Sequence, residues 1–199
     1  MLLPYFQDEF IEAGCDEAGR GCLAGPVFAA AVVLPKNFSH PILNDSKKIN
    51  QKNRFELREM VEREALSFAV AFVDHAEIDQ INILNASIKA MHFALRQLSI
   101  RPGFIIIDGN RFKSFEDLSH QCIIKGDGKY YSIAAASILA KTYRDDYMLK
   151  LAIDYPQFDW TKNKGYPTIK HRDAVIAHGM SPFHRKTFRI SDPQFKLVL

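Results

Sequence analysis

The chain has 199 residues, 47% of them hydrophobic, which suffices for a sizeable core without disulfide staples. Its three cysteines, Cys15, Cys22 and Cys122, are odd in number and form no CxxC pair, which argues against a zinc ribbon or a secreted disulfide framework and points to a reducing cytoplasm. A net charge of +3 is too mild to name a partner, the longest apolar stretch (27–34) is too short to span a bilayer, and the first residues lack the pattern of a secretion signal.

Residues 9–15 and 26–34 read as strands separated by a glycine-rich turn, and 66–73 as a third strand with alternating large and small apolar residues. The period then changes. Residues 78–98 carry apolar side chains at helical spacing, with Asp79 near the start, where a carboxylate suits the helix dipole. The run Phe104-Ile105-Ile106-Ile107 predicts a buried strand ending at Asp108-Gly109, and 120–124 a short strand ending at Lys125-Gly126-Asp127-Gly128. Residues 132–155 predict a long helix whose stretch Ala134-Ala135-Ala136-Ser137 lets it pack closely on a sheet, and 168–177 one more helix. Antiparallel strands first, then helix, strand, strand and helices, give an α/β fold with a mixed central β-sheet flanked by helices. No repeat or linker interrupts the chain, so 1–199 is expected to be a single domain, of which about 160–199 is a basic C-terminal extension.

Asp16 and Glu17 follow an apolar approach and precede Ala18-Gly19-Arg20-Gly21-Cys22-Leu23-Ala24-Gly25-Pro26. Adjacent carboxylates at the end of a buried strand repel each other and lose solvation, so a divalent cation is the expected compensation. The glycines allow backbone amides close to a ligand, and Arg20 supplies a charge that pairs with phosphate. Two later strands also end in acid, at Asp108 and Asp127. Each Asp-Gly pair alone also reads as a turn former, but four acids at neighbouring strand ends form a set suited to Mg²⁺ or Mn²⁺. Two such ions roughly 4 Å apart position an attacking water and stabilise a leaving oxygen in phosphoryl displacement. Residues 161–190 carry Lys162, Lys164, Lys170, Arg172, Arg185, Lys186 and Arg189 against the single acid Asp173, interleaved with aromatics. That segment suits a phosphate backbone, with a plain solvated face as the competing reading.

These blocks resemble the ribonuclease HII (type 2 ribonuclease H) family. The signature Asp16-Glu17-Ala18-Gly19-Arg20-Gly21 is joined in order by Asp45-Ser46-Lys47-Lys48, Ile107-Asp108-Gly109, Lys125-Gly126-Asp127, a block from Ser132 to Asp145, and Lys164-Gly165-Tyr166-Pro167-Thr168, so the match runs from about residue 10 to 190. The resemblance implies an RNase H-like fold with a C-terminal helical extension. It implies hydrolysis of the RNA strand of RNA–DNA hybrids, and cleavage of duplex DNA on the 5′ side of a single embedded ribonucleotide, leaving a 3′-hydroxyl and a 5′-phosphate. It assigns metal ligation to Asp16, Glu17, Asp108 and Asp127, 2′-hydroxyl reading to Gly19, Arg20 and Gly21, and stacking on the next deoxyribose to Tyr166, which otherwise reads as a core aromatic.

Lys47, Lys48, Lys141 and Lys170 are expected phosphate contacts, with solvated surface lysines as the alternative. Asp145 is expected to partner a nearby base, with support of the metal ligands from behind as the alternative. Cys22 stands where the family usually has proline, which predicts a less rigid turn. The tail Gln194-Phe195-Lys196-Leu197-Val198-Leu199 faintly resembles peptides that bind replication sliding clamps, and no exposed heptad argues for anything beyond a monomer. A DNA-cutting junction resolvase and a binding module without catalysis are the rival readings; both are disfavoured by four acids accompanied by a ribose-reading turn.

Overall fold

The early apolar stretches pair as an antiparallel meander. In the computed structural model, which describes residues 2–43 and 50–190, β1 (Glu12–Ala18) pairs with β2 (Val27–Val33), and β2 with β3 (Ser67–Val73), both antiparallel. On the other side of β1 lie β4 (Phe104–Asp108) and then β5 (Ser119–Ile123), both parallel, so the strand order is β3-β2-β1-β4-β5. The helices are α1 (Gln51–Glu64), α2 (His75–Ile81), α3 (Ile83–Gln97), α4 (Tyr131–Asp154), the single turn α5 (Trp160–Asn163) and α6 (Ile169–His178). Lys47 and Lys48, and the tail 194–199, lie outside the described residues.

Every residue of β2, Val-Phe-Ala-Ala-Ala-Val-Val, is buried, because both faces of the sheet are covered. On one face Ala13, Cys15, Ala29, Ala31, Ile105 and Ile107 pack on α3 through Ala86, Ala90, Met91 and Ala94. On the other, Ala30 and Val32 pack on α4 through Ala134, Ala135 and Ile138, with Leu57, Met60 and Val61 of α1 alongside. Gly14 lets α4 come this close: a Cβ there would lie 2.3 Å from the Ser132 carbonyl carbon. Among the described residues no helix is long and apolar enough to cross a membrane.

Three local differences from the sequence expectation bear on the site. β1 starts later than residue 9 and runs through Ala18, so Asp16 and Glu17 lie inside the strand, opposite Ala30 and Ala29 of β2, rather than beyond its end. Residues 51–64, given no element from the sequence, form α1, whose buried side is only Leu57, Met60 and Val61. The single helix expected over 78–98 breaks at Asn82, which takes φ 64° and ψ 163° and whose side chain accepts from the Asn85 N–H at 3.1 Å, capping α3. Asp74 caps α2 in the same way. Asp79 is therefore not at a helix start. Its carboxylate accepts from the N–H groups of Lys186 (2.8 Å) and Thr187 (3.0 Å) and from the Thr187 hydroxyl, fastening the C-terminal segment to α2.

Candidate active site

Neighbouring residues of a strand point to opposite faces, so placing Asp16 and Glu17 inside β1 divides them between the two sides of the sheet. Asp16 shares the alternation of Gly14 and Ala18 and faces α4, where Ser137 donates to it. Glu17 shares the alternation of Ala13 and Cys15 and faces α3. Asp108, at the end of the adjoining strand β4, lines a cleft with both. Asp16 is only 5% exposed, and burial, reinforced by the charges of Glu17 and Asp108, holds its carboxyl well above the usual carboxylate range.

The partners these acids now have are modest. Arg20, half exposed, reaches Glu17 at 2.9 Å, and the Gly126 N–H donates to Asp108 Oδ1 at 2.7 Å. Among the described residues, no three His, Cys, Asp or Glu side chains are set closely enough to close around one ion. The donor set nevertheless fits a hard divalent cation: oxygen ligands only, mutually repelling, one of them kept from ionising easily by burial and then by the others.

The glycine turn beside them is held far more firmly. Gly19 takes φ 95° and passes so close to α4 that a Cβ would lie 2.0 Å from Arg144 Nε. Arg185, 1% exposed, spends its guanidinium on three carbonyls: Gly19 at 2.8 Å, Arg20 at 2.9 Å and Gly25 at 2.9 Å. Arg144, equally buried, donates to Ala24, Pro26 and Lys164 carbonyls at 2.8–3.0 Å. Burial pulls Arg185 down to about 10, still well above neutral pH. Because a trans peptide sets its N–H opposite its C=O, turning the Gly19 and Arg20 carbonyls onto Arg185 directs the N–H groups of Arg20 and Gly21 away from it. Cys22 follows with its N–H 3.4 Å from the Gly19 carbonyl and its thiol 3.8 Å from that of Lys164, so two arginines hold the turn where a proline ring is absent.

Asp16, Glu17, Gly19, Arg20, Gly21, Asp108, Lys141 and Tyr166 thus line one cleft of about 260 Å³, with Ser137. Tyr166 is 36% exposed, with Lys141 Nζ 5.6 Å and the Arg144 guanidinium 5.7 Å from its ring centre. Lys141 also donates to the buried Asp145 at 2.5 Å, giving Asp145 the structural base expected for it. Asp127 does not line this cleft; it is buried in the single 3₁₀ turn Gly126–Gly128, one residue after the amide that holds Asp108. Lys170 is exposed on the first turn of α6. The basic stretch 161–190 is not one solvated face: Lys164 and Arg185 are buried and bond to backbone carbonyls, while Lys162, Lys170, Lys186 and Arg189 are exposed.

Behind Tyr166 sits a histidine pair. Trp160 Nε1 donates to His171 Nε2 at 2.9 Å, so His171 carries its proton on Nδ1 and donates to the Tyr166 carbonyl at 2.9 Å. His184 accepts the Ser181 N–H on Nδ1 and sets Nε2 3.1 Å from His171 Nε2. Burial lowers both, His184 to about 4, and the repulsion the two rings would feel if both were charged adds to it. Ser137, Arg144 and the two histidines escaped the sequence reading as parts of the site. The spacing Ser137, Lys141, Arg144, Met148 on one face of α4 was the available signal for the first two.

Known proteins resemble the chain over nearly its whole length. The family described as Ribonuclease HII matches residues 13–191. A ribonuclease HII of Phocaeicola vulgatus is 62% identical over 199 residues, covering 99% of each chain. One of Bacteroides thetaiotaomicron is 62% identical over 198 residues, again 99% of each. Among solved structures, the ribonuclease H2 of Pyrococcus horikoshii OT3 superposes with a TM-score of 0.75 at 26% identity, over 90% of this chain and 94% of that one.

Proposed function

Since the chain belongs to the ribonuclease HII family, and is with it a metal-dependent endonuclease acting on the RNA of RNA–DNA hybrids, we propose that it also cuts duplex DNA on the 5′ side of a single embedded ribonucleotide, leaving a 3′-hydroxyl and a 5′-phosphate. The observation that carries this reading is the glycine turn, clamped by Arg185 directly beside the carboxylates. With two of its carbonyls turned inward, the turn offers the Arg20 and Gly21 N–H groups to the cleft. A ribose 2′-hydroxyl oxygen accepts from them; a deoxyribose has no such atom and leaves the donors unpaired.

Tyr166, set between two cations, stacks on the sugar of the following nucleotide, and His171 holds its carbonyl. Lys141, and outside the described residues Lys47 and Lys48, pair with phosphates, as does Lys170 further out. Asp16, Glu17 and Asp108, with Asp127 on the adjoining turn, would hold Mn²⁺ or Mg²⁺, two ions at catalysis, which supply the Lewis acid that activates water and offsets charge on the leaving oxygen. Ser137 keeps Asp16 oriented, and the Gly126 N–H does the same for Asp108. Action as a monomer belongs to the same reading. The apolar tail 194–199 is assigned to a sliding clamp, a contact that deleting it should abolish.

The deciding experiment pairs a duplex containing one ribonucleotide with its all-DNA twin, each incubated with Mg²⁺ or Mn²⁺. A single cut 5′ of the ribonucleotide, in the first duplex only, is expected. Cleavage of both duplexes, or of neither, overturns the reading.

A further inference from the structure

The division of Asp16 and Glu17 between the faces of the sheet creates a second cleft, of about 300 Å³, on the α3 side. It shares Glu17, Arg20 and Asp108 with the turn-bearing cleft and no other residue, so the carboxylates form a wall between two chambers. Ser87 on α3 lines the second chamber and is 2% exposed, yet its hydroxyl has no hydrogen-bond partner. A helical serine ordinarily returns its proton to a carbonyl one turn back, so a buried hydroxyl without that bond, on a residue lining a cavity, is a donor available to a ligand atom. Arg111, just beyond Asp108, lines the same chamber, is exposed and has neither an ion pair nor a hydrogen bond among the described residues. Leu84, Ile88 and Met91 supply an apolar wall.

We propose that this chamber is the subsite for the nucleotide on the 5′ side of the scissile phosphate, with Arg111 pairing with the phosphate at that nucleotide's own 5′ end and Ser87 donating to one of its oxygens. The assignment rests on the function proposed above: with the ribonucleotide against the glycine turn, 3′ of the cut, a strand crossing the carboxylate wall continues 5′ into the α3 chamber. An unpaired guanidinium, a donor hydroxyl and an apolar wall match a phosphate, a polar sugar atom and a sugar or base edge. The track does not stop there. Ile88 also lines a wider groove of about 760 Å³ along α3, edged by Lys89, Arg96 and Lys113.

The test uses the full chain, with the ribonucleotide duplex made in two forms, one with a neutral methylphosphonate replacing the phosphodiester one step 5′ of the scissile bond. In the unmodified duplex, Arg111→Ala should raise KM about tenfold with kcat within about twofold, and the methylphosphonate should do the same to the unaltered enzyme. Combined, the two changes should cost no more than either alone, because they remove opposite ends of one contact. Arg111→Lys should recover part of the loss, and Ser87→Ala should raise KM about threefold. Multiplying effects, or an Arg111→Ala enzyme with unaltered KM, overturn the subsite even if Ser87→Ala fails to fold. An unaltered enzyme that leaves the ribonucleotide duplex intact overturns the function and the subsite with it, a result distinct from failure of the subsite alone.

Discussion

The carboxylates of β1 and the turn that follows it are almost adjacent in sequence, and Asp108 of β4 joins them in space, yet the acids and the turn are stabilised in opposite ways. The turn is saturated: two buried guanidiniums satisfy carbonyls of Gly19, Arg20, Ala24, Gly25 and Pro26, and a bound ligand has only to meet the remaining N–H groups. The acids are left in conflict, with Asp16 destabilised by burial and by two like charges. On the proposed reading the turn discriminates between sugars by one oxygen, and a region with that task is best held rigid before the substrate arrives. A region that must attract cations is best left with charge uncompensated.

The largest effect expected from disturbing this contrast is on chemistry. Asp108→Asn removes a ligand charge and little volume, so single-turnover cleavage should fall by about four orders of magnitude, with hybrid affinity by fluorescence anisotropy changed less than about threefold. Cleavage at the normal rate would remove Asp108 from the metal site. On the rigid side, Arg185→Leu strands three carbonyls and should cost about 4 kcal/mol in urea unfolding, while Arg185→Lys, which keeps the charge but not the fork, should cost about half as much. The Leu variant should also lose preference for the ribonucleotide duplex over its all-DNA twin; an unchanged urea midpoint would deny the clamp.

Acid should act on the histidine pair behind Tyr166 and on the carboxylates with opposite signs. His184 has a folded value of about 4 against an ordinary 6.5, so between those values the unfolded chain binds more protons, and stability present above pH 6.5 drains away as pH falls, by up to about 3 kcal/mol. Urea midpoints at pH 7.5 and 4.5 would measure this, and His184→Gln should flatten the difference. Asp16 is raised rather than lowered, so its protonation in the folded state opposes that loss. The smallest effect isolates this contribution: without divalent ions at pH 7, Asp16→Asn should raise stability by about 1–2 kcal/mol while abolishing cleavage, and added Mn²⁺ should stabilise the unaltered protein but not the variant. A variant that melts lower than the unaltered protein in chelator would mean that the acids are not in conflict.

The sheet was legible because β2 and β4 are continuous apolar runs, and the acids because three apolar segments each deliver a carboxylate near a glycine. Helix α1 was not, since Leu57, Met60 and Val61 are a short apolar stripe among charges. Asn82 looked like one polar residue inside a helical period; its left-handed backbone and its bond to Asn85 turn one helix into two. The partners of Asp79 and Arg185 lie more than a hundred residues away in sequence, and neither helix dipole nor net charge says which way such a side chain will face. A charged residue announces its need for a partner in the sequence, but its address only in the fold.

The Asp79 contact to Lys186 and Thr187 has a consequence for how the protein is made. All five strands are translated by residue 123, whereas Arg185 emerges close to the end of the described chain. The cutting edge is therefore written first and its fastener last. Until the C-terminal segment docks, with Asp79 as the hook that catches it, a nascent chain has its acids in place but not the taut turn beside them. On the function proposed above, selectivity for the ribose waits for that docking, although the acids do not.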